Sequence, residues 1–288
     1  MSNFAIAGLQ LEAENGNNVD AMLAEIEAAV RKFPWLDMVV LGELNACTDK
    51  ACAESMPGPT EGRFRAIARE HGIWLIPGSI FELDSGNIYN TTPVISPDGK
   101  VVARYRKLFP WLPYENGVTP GEDFCVFDVP GVGRFGISIC YDMWFPETIR
   151  SMAWMGAEVI LHPSLTSTID RDAEIAMIRA HAAMNQVVFF DVNVAGPLGV
   201  GQSCIAGPGG EVIYQAGKAR EIIPLSINFD NLHEVRKNGW HNLGQPLKSF
   251  RDSRVQFPPY TQGYDSEALK ALGELRLPER QKGSSGPV

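Results

Sequence analysis

The chain has 288 residues, of which 45% are hydrophobic and 20% charged, so it can bury a large core and is neither disordered nor fibrous. Its formal net charge of −9 argues against binding to nucleic acid or to an anionic membrane, since both attract basic surfaces. No apolar stretch approaches the about 20 residues of a membrane span, and the first ten residues lack the basic start of a secretion signal. We expect a soluble, cytoplasmic protein that acts on a small molecule.

The cysteines suit neither a disulfide framework nor a metal site. There are five, at positions 47, 52, 125, 140 and 204. Their odd number and wide scatter predict reduced thiols. Cys47 and Cys52 have no second cysteine or histidine pair at zinc-ligand spacing, and Gly131-Val132-Gly133 lacks the remaining glycine and lysine of a phosphate loop. The sequence therefore predicts no metal and no cofactor.

Apolar runs and helical spacing predict alternating strands and helices in both halves of the chain. In the first half, a strand, helix, strand, helix and strand are predicted at residues 4–11, 19–33, 38–41, 60–72 and 73–81. In the second half, the same five elements are predicted at residues 134–139, 146–155, 158–161, 171–185 and 187–193. Each half then continues into a hairpin with a turn rich in proline and glycine, with arms at residues 91–96 and 100–105, and at 203–206 and 211–214.

This order describes two βαβαββ half-repeats. A unit that buries only one face of its sheet must have that face covered, and packing the two sheets together with the helices outside achieves this. We therefore expect an α/β fold, a four-layer α-β-β-α sandwich. A single domain is predicted over residues 1–260, followed by a partly flexible tail over residues 261–288.

Cys140 is the first candidate for a catalytic residue. It follows the apolar run Gly136-Ile137-Ser138-Ile139 and precedes a helix predicted to begin at Pro146. A thiol on such a strand-to-helix turn projects from the carboxyl edge of a sheet, where open α/β proteins bind ligands. Free cysteines are also common as small buried apolar residues, and the local sequence alone leaves both interpretations open.

Two more ionisable residues stand at predicted strand ends. Glu43 follows the strand at residues 38–41, and Lys107 ends the hairpin arm at residues 101–106. Each alone is typical of a solvated surface charge, but three such groups at strand ends favour a shared site. A lysine lowers the pKa of a thiol and holds a developing oxyanion, and a carboxylate shuttles protons. The pattern predicts an acyl-transfer site.

Several motifs occur in order along the chain: Leu41-Gly42-Glu43-Leu44, Tyr105-Arg106-Lys107-Leu108, Cys140-Tyr141-Asp142, Phe145-Pro146-Glu147, Arg179-Ala180, Asn185, Asn193, and Gly201-Gln202-Ser203 before Pro208-Gly209-Gly210. Through these motifs the chain resembles the nitrilase superfamily, the carbon–nitrogen hydrolases with a Glu-Lys-Cys triad, to about residue 230. The resemblance also implies the α-β-β-α sandwich and a second glutamate at Glu115. Two positions depart from the family pattern: Gly42 replaces the usual proline, and residues 108–111 lack a histidine that many members carry.

The resemblance implies a cysteine-dependent amidase that acts on a small carboxamide or carbamoyl compound. Cys140 would attack the carbonyl carbon, while Lys107 and the backbone N–H of Tyr141 hold the oxyanion. Glu43 would protonate the leaving ammonia and then activate the water that hydrolyses the thioester. Glu115 would orient Lys107 or the substrate nitrogen.

Other residues near the site are expected to bind substrate or to pack around it. Trp111 and Trp144 flank it as walls of a substrate pocket or as packed aromatic residues. His162 is grouped with the substrate-binding residues, although the resemblance puts it at a strand end behind the site, as a packed and hydrogen-bonded histidine. The segment at residues 201–205 lacks the last glycine of a G-x-S-x-G elbow, so a serine hydrolase is not predicted.

The substrate class remains open among related reactions. Tyr141-Asp142 after the cysteine favours an amide, because nitrilases usually have Trp-Glu there. The segment at residues 110–115 resembles aliphatic amidases, whereas residues 142–147 resemble carbamoyl-amine hydrolases. An N-carbamoyl-amine hydrolase, a true nitrilase and a non-catalytic scaffold of the same fold are the alternatives.

The last fifty or so residues predict an oligomer. The half-repeat pattern ends near Asp230, yet apolar residues continue at positions 240, 243, 247, 250, 255, 257 and 260. They cover either their own subunit or a partner, and the resemblance favours a homodimer or higher homo-oligomer. Residues 282–288 are small and polar and are expected to be mobile.

Overall fold

The structure, a computed structural model, describes residues 3–261 and 266–277. The segment predicted to be mobile, residues 282–288, lies outside the described residues. The described strands are, in chain order, β1 (Asn3–Gln10), β2 (Met38–Leu41), β3 (Trp74–Ile76), β4 (Ile80–Asp84), β5 (Asn87–Ile95), β6 (Val101–Arg106), β7 (Cys125–Val129), β8 (Gly133–Ile137), β9 (Val159–Ser164), β10 (Val188–Asn193), β11 (Cys204–Ala206), β12 (Val212–Gln215) and β13 (Glu221–Asn228). The described α-helices are α1 (Val19–Lys32), α2 (Pro59–His71), α3 (Pro146–Trp154), α4 (Arg171–Asn185), α5 (Phe229–Asn238), α6 (Pro246–Arg251) and α7 (Glu267–Lys270).

The strands form two sheets of similar topology. In the first, β1, β2 and β3 are parallel, β5 pairs antiparallel with β3, and both β4 and β6 pair with β5. In the second, β8, β9 and β10 are parallel, and β11 and β12 continue the sheet in antiparallel order. An antiparallel strand also borders each parallel set, β13 beside β1 and β7 beside β8. The repeat predicted from the sequence is therefore present.

Three details of the strands differ from the prediction. The strand expected at residues 73–81 is divided into β3 and β4, and Gly78 between them has φ 77°. A Cβ on Gly78 would lie 1.9 Å from the carbonyl oxygen of Gly42, so the close approach of the two loops requires glycine there. The strands β7 and β13 were not predicted.

Three apolar clusters hold the layers together. The central cluster lies between the two sheets and includes Ile6 of β1, Met38 of β2 and Phe190 of β10. A second cluster joins the first sheet to α1 and α2, and a third joins the second sheet to α3 and α4. Side chains alternate along each strand, so Phe190 packs between the sheets while its neighbour Phe189 packs against the helices. The predicted four-layer α-β-β-α sandwich is confirmed.

The expectation that all five cysteines are reduced is wrong for Cys47 and Cys52, which form a disulfide with their Cα atoms 6.4 Å apart. Asp49 caps a single 3-10 turn between them by accepting a hydrogen bond from the Ala51 N–H at 2.9 Å, and this turn brings the two cysteines together. The other three cysteines are free and buried. Spacing alone did not reveal a pair separated by one short turn.

The C-terminal segment packs partly on its own subunit. Leu247 of α6 contacts the cluster between the second sheet and its helices, and the ring of Phe250 lies 5.6 Å from that of Trp154. Leu243, Val255 and Tyr260 remain exposed. The described part of the predicted tail contains α7. None of the helices within residues 3–261 and 266–277 has the length and apolar character of a membrane span.

Candidate active site

Glu43, Lys107 and Cys140 meet at one edge of the sandwich, and these residues are only 3%, 1% and 9% exposed. Glu43 lies just after β2, Lys107 just after β6, and Cys140 just after β8. Lys107 Nζ lies 2.8 Å from Glu43 Oε1. The three residues line a cavity of about 440 Å³. The strand-end prediction therefore identified residues that lie in one cavity.

The turn that carries Cys140 is held by a buried carboxylate. Cys140 begins a 3-10 turn with φ 45°, a left-handed conformation that few residues other than glycine adopt. Asp142 accepts hydrogen bonds from the Ile139 N–H at 2.9 Å, the Phe109 N–H at 2.8 Å and the Tyr105 hydroxyl at 2.6 Å. These bonds tie the Cys140 turn to the chain around β6 and offset the strain of the turn. Burial raises the pKa of Asp142 to about 6, although the hydrogen bonds act in the opposite direction.

Glu43 is fixed by neighbours on both sides. Its Oε1 accepts hydrogen bonds from Asn90 Nδ2 and Lys107 Nζ, both at 2.8 Å. The preceding Gly42 donates its N–H to Asn45 Oδ1 at 2.9 Å. Proline has no N–H, so the family's usual residue could not make this bond. The departure at Gly42 thus supplies a hydrogen bond that holds the Glu43 loop.

Lys107 lies between two carboxylates. Besides Glu43, it contacts Glu115 Oε2 at 2.7 Å, and this oxygen also accepts a hydrogen bond from the Trp111 N–H. Glu115 in turn donates its own N–H to the Trp111 carbonyl at 2.8 Å. A buried ammonium with two carboxylates has its position and its charge strongly fixed.

The charges around Cys140 differ from the expectation of a thiol with a lowered pKa. Burial and the Glu43 carboxylate raise the pKa of Cys140 well above its usual value, and they outweigh the opposing effect of Lys107. Burial also raises the pKa of Glu43, against the effect of Lys107. For Lys107, burial lowers the pKa, but the surrounding negative charges outweigh it and the pKa is raised well above the usual value. These effects favour a thiol on Cys140 beside an ammonium on Lys107.

The aromatic residues predicted near the site line the cavity, and His162 does not. Trp111, Tyr141 and Trp144 are all part of its wall, together with Tyr114, whose ring stacks on Trp111 at 4.3 Å. His162 is fully buried with Nδ1 2.7 Å from Ser138 Oγ, so the structure does not bring it to the cavity. These are the surroundings of a packed, hydrogen-bonded histidine.

Several polar side chains of the cavity were not identified from the sequence. They include Lys50, Thr166, Asp170 and Glu174. Thr166 follows the end of β9 by two residues, so the same strand-end argument could have found it. Glu174 lies on α4 at a position with no local signal. Within the described part of the chain, no group of three or more histidine, cysteine, aspartate or glutamate side chains is arranged to hold a metal ion.

The fold and the site define a class of protein: a hydrolase with a thiol, an ammonium and two carboxylates at the end of an α-β-β-α sandwich. Residues 4–237 match the carbon–nitrogen hydrolase family, and the chain belongs to that family, within the nitrilase superfamily. It is a hydrolase of carbon–nitrogen bonds. The resemblance inferred from the motifs is confirmed.

Comparisons with individual proteins agree with this assignment. The chain is 32% identical over 259 residues to omega-amidase NIT2 of Homo sapiens, an alignment that covers 82% of this chain and 93% of that protein. It is 27% identical over 277 residues to a formamidase of Bacillus cereus (strain B4264), covering 90% and 83% of the two chains. The crystal structure of Saccharomyces cerevisiae Nit3, in branch 10 of the nitrilase superfamily, is similar with a TM-score of 0.75 at 28% identity, covering 82% of this chain and 94% of that one.

Proposed function

We propose that the chain is an amidase that cleaves the carbon–nitrogen bond of a small carboxamide to an acid and ammonia through a thioester on Cys140. The observation that carries the proposal is the contact of the buried Lys107 with Glu43 and Glu115, at 2.8 and 2.7 Å, in the cavity that Cys140 lines. The relatives named omega-amidase and formamidase support an amide substrate.

Acylation begins with the substrate carbonyl carbon beside Cys140. Because the resting group is a thiol, a base must remove its proton as Sγ attacks, and Glu43 is the carboxylate that acts on it. The oxyanion that forms is held by the Lys107 ammonium and the Tyr141 backbone N–H. Protonated Glu43 then gives its proton to the leaving nitrogen, the carbon–nitrogen bond breaks, and ammonia departs.

In deacylation, Glu43 again acts first as a base and then as an acid. Glu43 removes a proton from a water molecule as its oxygen attacks the thioester carbon. The carbon–sulfur bond breaks, the acid leaves, and Glu43 returns the proton to Cys140. Glu115 takes no proton in this scheme; through its 2.7 Å contact it keeps the Lys107 ammonium aimed at the oxyanion.

The size and lining of the cavity favour a small substrate. Its volume of about 440 Å³ and its wall of Trp111, Tyr141 and Trp144 fit a compact organic amide. N-carbamoyl amines carry the same carbonyl–nitrogen bond, and the resemblance of residues 142–147 to carbamoyl-amine hydrolases makes them the second candidate.

The test is a panel of small carboxamides, N-carbamoyl amines and nitriles, with ammonia release measured and Cys140 examined by mass spectrometry. We expect ammonia from one or more carboxamides and an acyl adduct on Cys140, with the buried Cys125 unmodified as the internal control. Turnover of nitriles alone would show that the protein is a nitrilase and not an amidase. Absence of turnover and of any adduct across the panel would support a non-catalytic scaffold.

A further inference from the structure

A further polar group lies beside the thiol of Cys140. Thr166 Oγ1 lies 3.8 Å from Cys140 Sγ. The same oxygen lies 3.0 Å from Glu174 Oε1. A carboxylate only accepts hydrogen bonds, so the single hydroxyl proton of Thr166 is donated to Glu174. The Thr166 oxygen is then left with lone pairs, which can accept the S–H of Cys140.

Glu174 is itself held by buried charges. Its Oε2 lies 3.1 Å from Arg171 Nη1, and Arg171 also contacts Asp191 and donates to the Gln202 carbonyl at 2.9 Å. Arg171, Glu174 and Asp191 are 2%, 3% and 0% exposed. Burying each of these three ions costs several kcal/mol before pairing, so the cluster is weak evidence for added stability. A need for fixed geometry explains it better.

The backbone of Thr166 is fixed as well. Its N–H donates to Asn193 Oδ1 at 2.8 Å, and its carbonyl accepts from Asn193 Nδ2 at 3.1 Å. Main chain and side chain are therefore both held, and Glu174 Oε1 at 3.0 Å is a nearer acceptor for the hydroxyl than Ser164 Oγ at 3.4 Å.

We propose that Thr166 is a positioning residue that holds Cys140 as an oriented thiol between turnovers, with Glu174 fixing the direction of the Thr166 hydroxyl. The proposal rests on Cys140 being the nucleophile of the proposed function. It assigns a role to the buried cluster of Arg171, Glu174 and Asp191, which the acyl-transfer scheme above does not use.

The charges around the thiol agree with this role. The charged groups that act on Cys140 are Glu43 after β2, Lys107 after β6 and Glu174 on α4. Lys50, Glu115 and Asp170 line the same cavity. After burial and Glu43, the negative charge of Glu174 also raises the pKa of Cys140, while Lys107 and a hydrogen bond from the Leu165 backbone oppose them. Glu174 and Thr166 thus favour the protonated form of Cys140, and Glu43 receives the proton when substrate is bound.

The test compares Thr166→Val, which removes the hydroxyl at nearly constant shape, with Thr166→Ser, which keeps it. The rate of Cys140 alkylation by iodoacetamide is measured across pH by mass spectrometry, together with kcat and KM for an amide that the wild type hydrolyses. In Thr166→Val we expect the pH at which the alkylation rate is half-maximal, the alkylation midpoint, to move to a lower value. We also expect kcat to fall about five- to tenfold, the effect of one lost hydrogen bond. Thr166→Ser should restore both values. Glu174→Gln should also lower the midpoint, since it removes a negative charge.

A wild-type midpoint in Thr166→Val would overturn the proposal, as would a Thr166→Ser variant that behaves like Thr166→Val. A loss of packing alone changes melting temperature but does not move the alkylation midpoint, so the two readouts separate a positioning role from a structural one. Should Glu174→Gln fail to fold, the Thr166 pair still decides the outcome. Failure of the proposed function is a different result: Cys140→Ala would then retain turnover whatever the Thr166 variants do.

Discussion

Lys107 Nζ lies 2.8 Å from Glu43 Oε1, although the two residues are 64 positions apart and each follows a different strand of the first sheet. The strands β2 and β6 run in the same direction, because β3 is parallel to β2 and two antiparallel pairings lead from β3 through β5 to β6. Both therefore deliver the residue after their carboxyl end to the same edge. Cys140, which follows β8 of the second sheet, reaches this edge from the facing layer.

Lys107→Gln should remove the charge that holds the oxyanion and compensates the two carboxylates. We expect kcat/KM to fall by at least about 100-fold, the usual effect of losing one oxyanion-stabilising group. Alkylation of Cys140 at neutral pH should also slow, because Lys107 is the group that lowers the thiol pKa. The control is Lys100→Gln, whose side chain is 76% exposed. Activity within tenfold of wild type in Lys107→Gln would mean that another group holds the oxyanion.

The pH dependence of stability should report Asp142. Its pKa in the folded state is about 6 against an ordinary value of 3.8, so the folded state binds this proton more tightly than the unfolded chain does. The stabilisation is fully present below the ordinary pKa and is lost as pH rises toward 6. Between pH 3.8 and about 6, we expect the free energy of unfolding to depend less on pH in Asp142→Asn than in the wild type. The control is Asp123→Asn, at an exposed position. An unchanged slope in Asp142→Asn would contradict the raised pKa.

The disulfide between Cys47 and Cys52 should stabilise the protein and shape its cavity. It closes a short loop that contains Thr48 and Lys50, both of which line the cavity. Replacing both cysteines by serine should cost about 2 kcal/mol of unfolding free energy, the chain-entropy value for a loop of this size. It should also raise KM, because the loop is no longer closed.

Peptide mapping without reductant tests the disulfide itself. We expect one crosslinked peptide containing Cys47 and Cys52, and denaturant unfolding with and without reductant should reproduce the effect of the double replacement. Two free thiols at these positions in protein purified without reductant would show that the bond does not form.

The sequence predicted the sandwich and the triad for a common physical reason. Alternating strands and helices bring the carboxyl ends of the parallel strands to one edge of each sheet. The residues that follow these strands, such as Glu43 or Cys140, lie at that edge. Contacts that depend on long-range packing were not predictable in this way. The pairing of Arg171 with Asp191, or of Asn90 with Glu43, has no local signature in the sequence. The pKa of Cys140 was expected in the wrong direction because the cost of burial cannot be judged before the depth of the site is known.

The oligomeric state is predicted to be a homodimer. Trp154 and Tyr260 are each 57% exposed and adjoin Phe250 along a surface cavity beside α3. An apolar surface of this kind at the C-terminal segment favours a second copy of the chain as its partner. Sedimentation at micromolar concentration should give twice the 31.6 kDa of one chain, and deletion from about residue 238 should give monomer or aggregate. A full-length particle of one chain mass would refute the dimer.

The central claim is covalent catalysis by Cys140, and Cys140→Ala tests it most directly. Alanine preserves the small volume at a buried turn, so the variant should fold like the wild type, with no nucleophile to replace the thiol. We expect kcat/KM for the best amide of the panel to drop below about 1% of wild type, a loss of at least about 3 kcal/mol in barrier terms. A folded Cys140→Ala protein that retains more activity than this would contradict the mechanism.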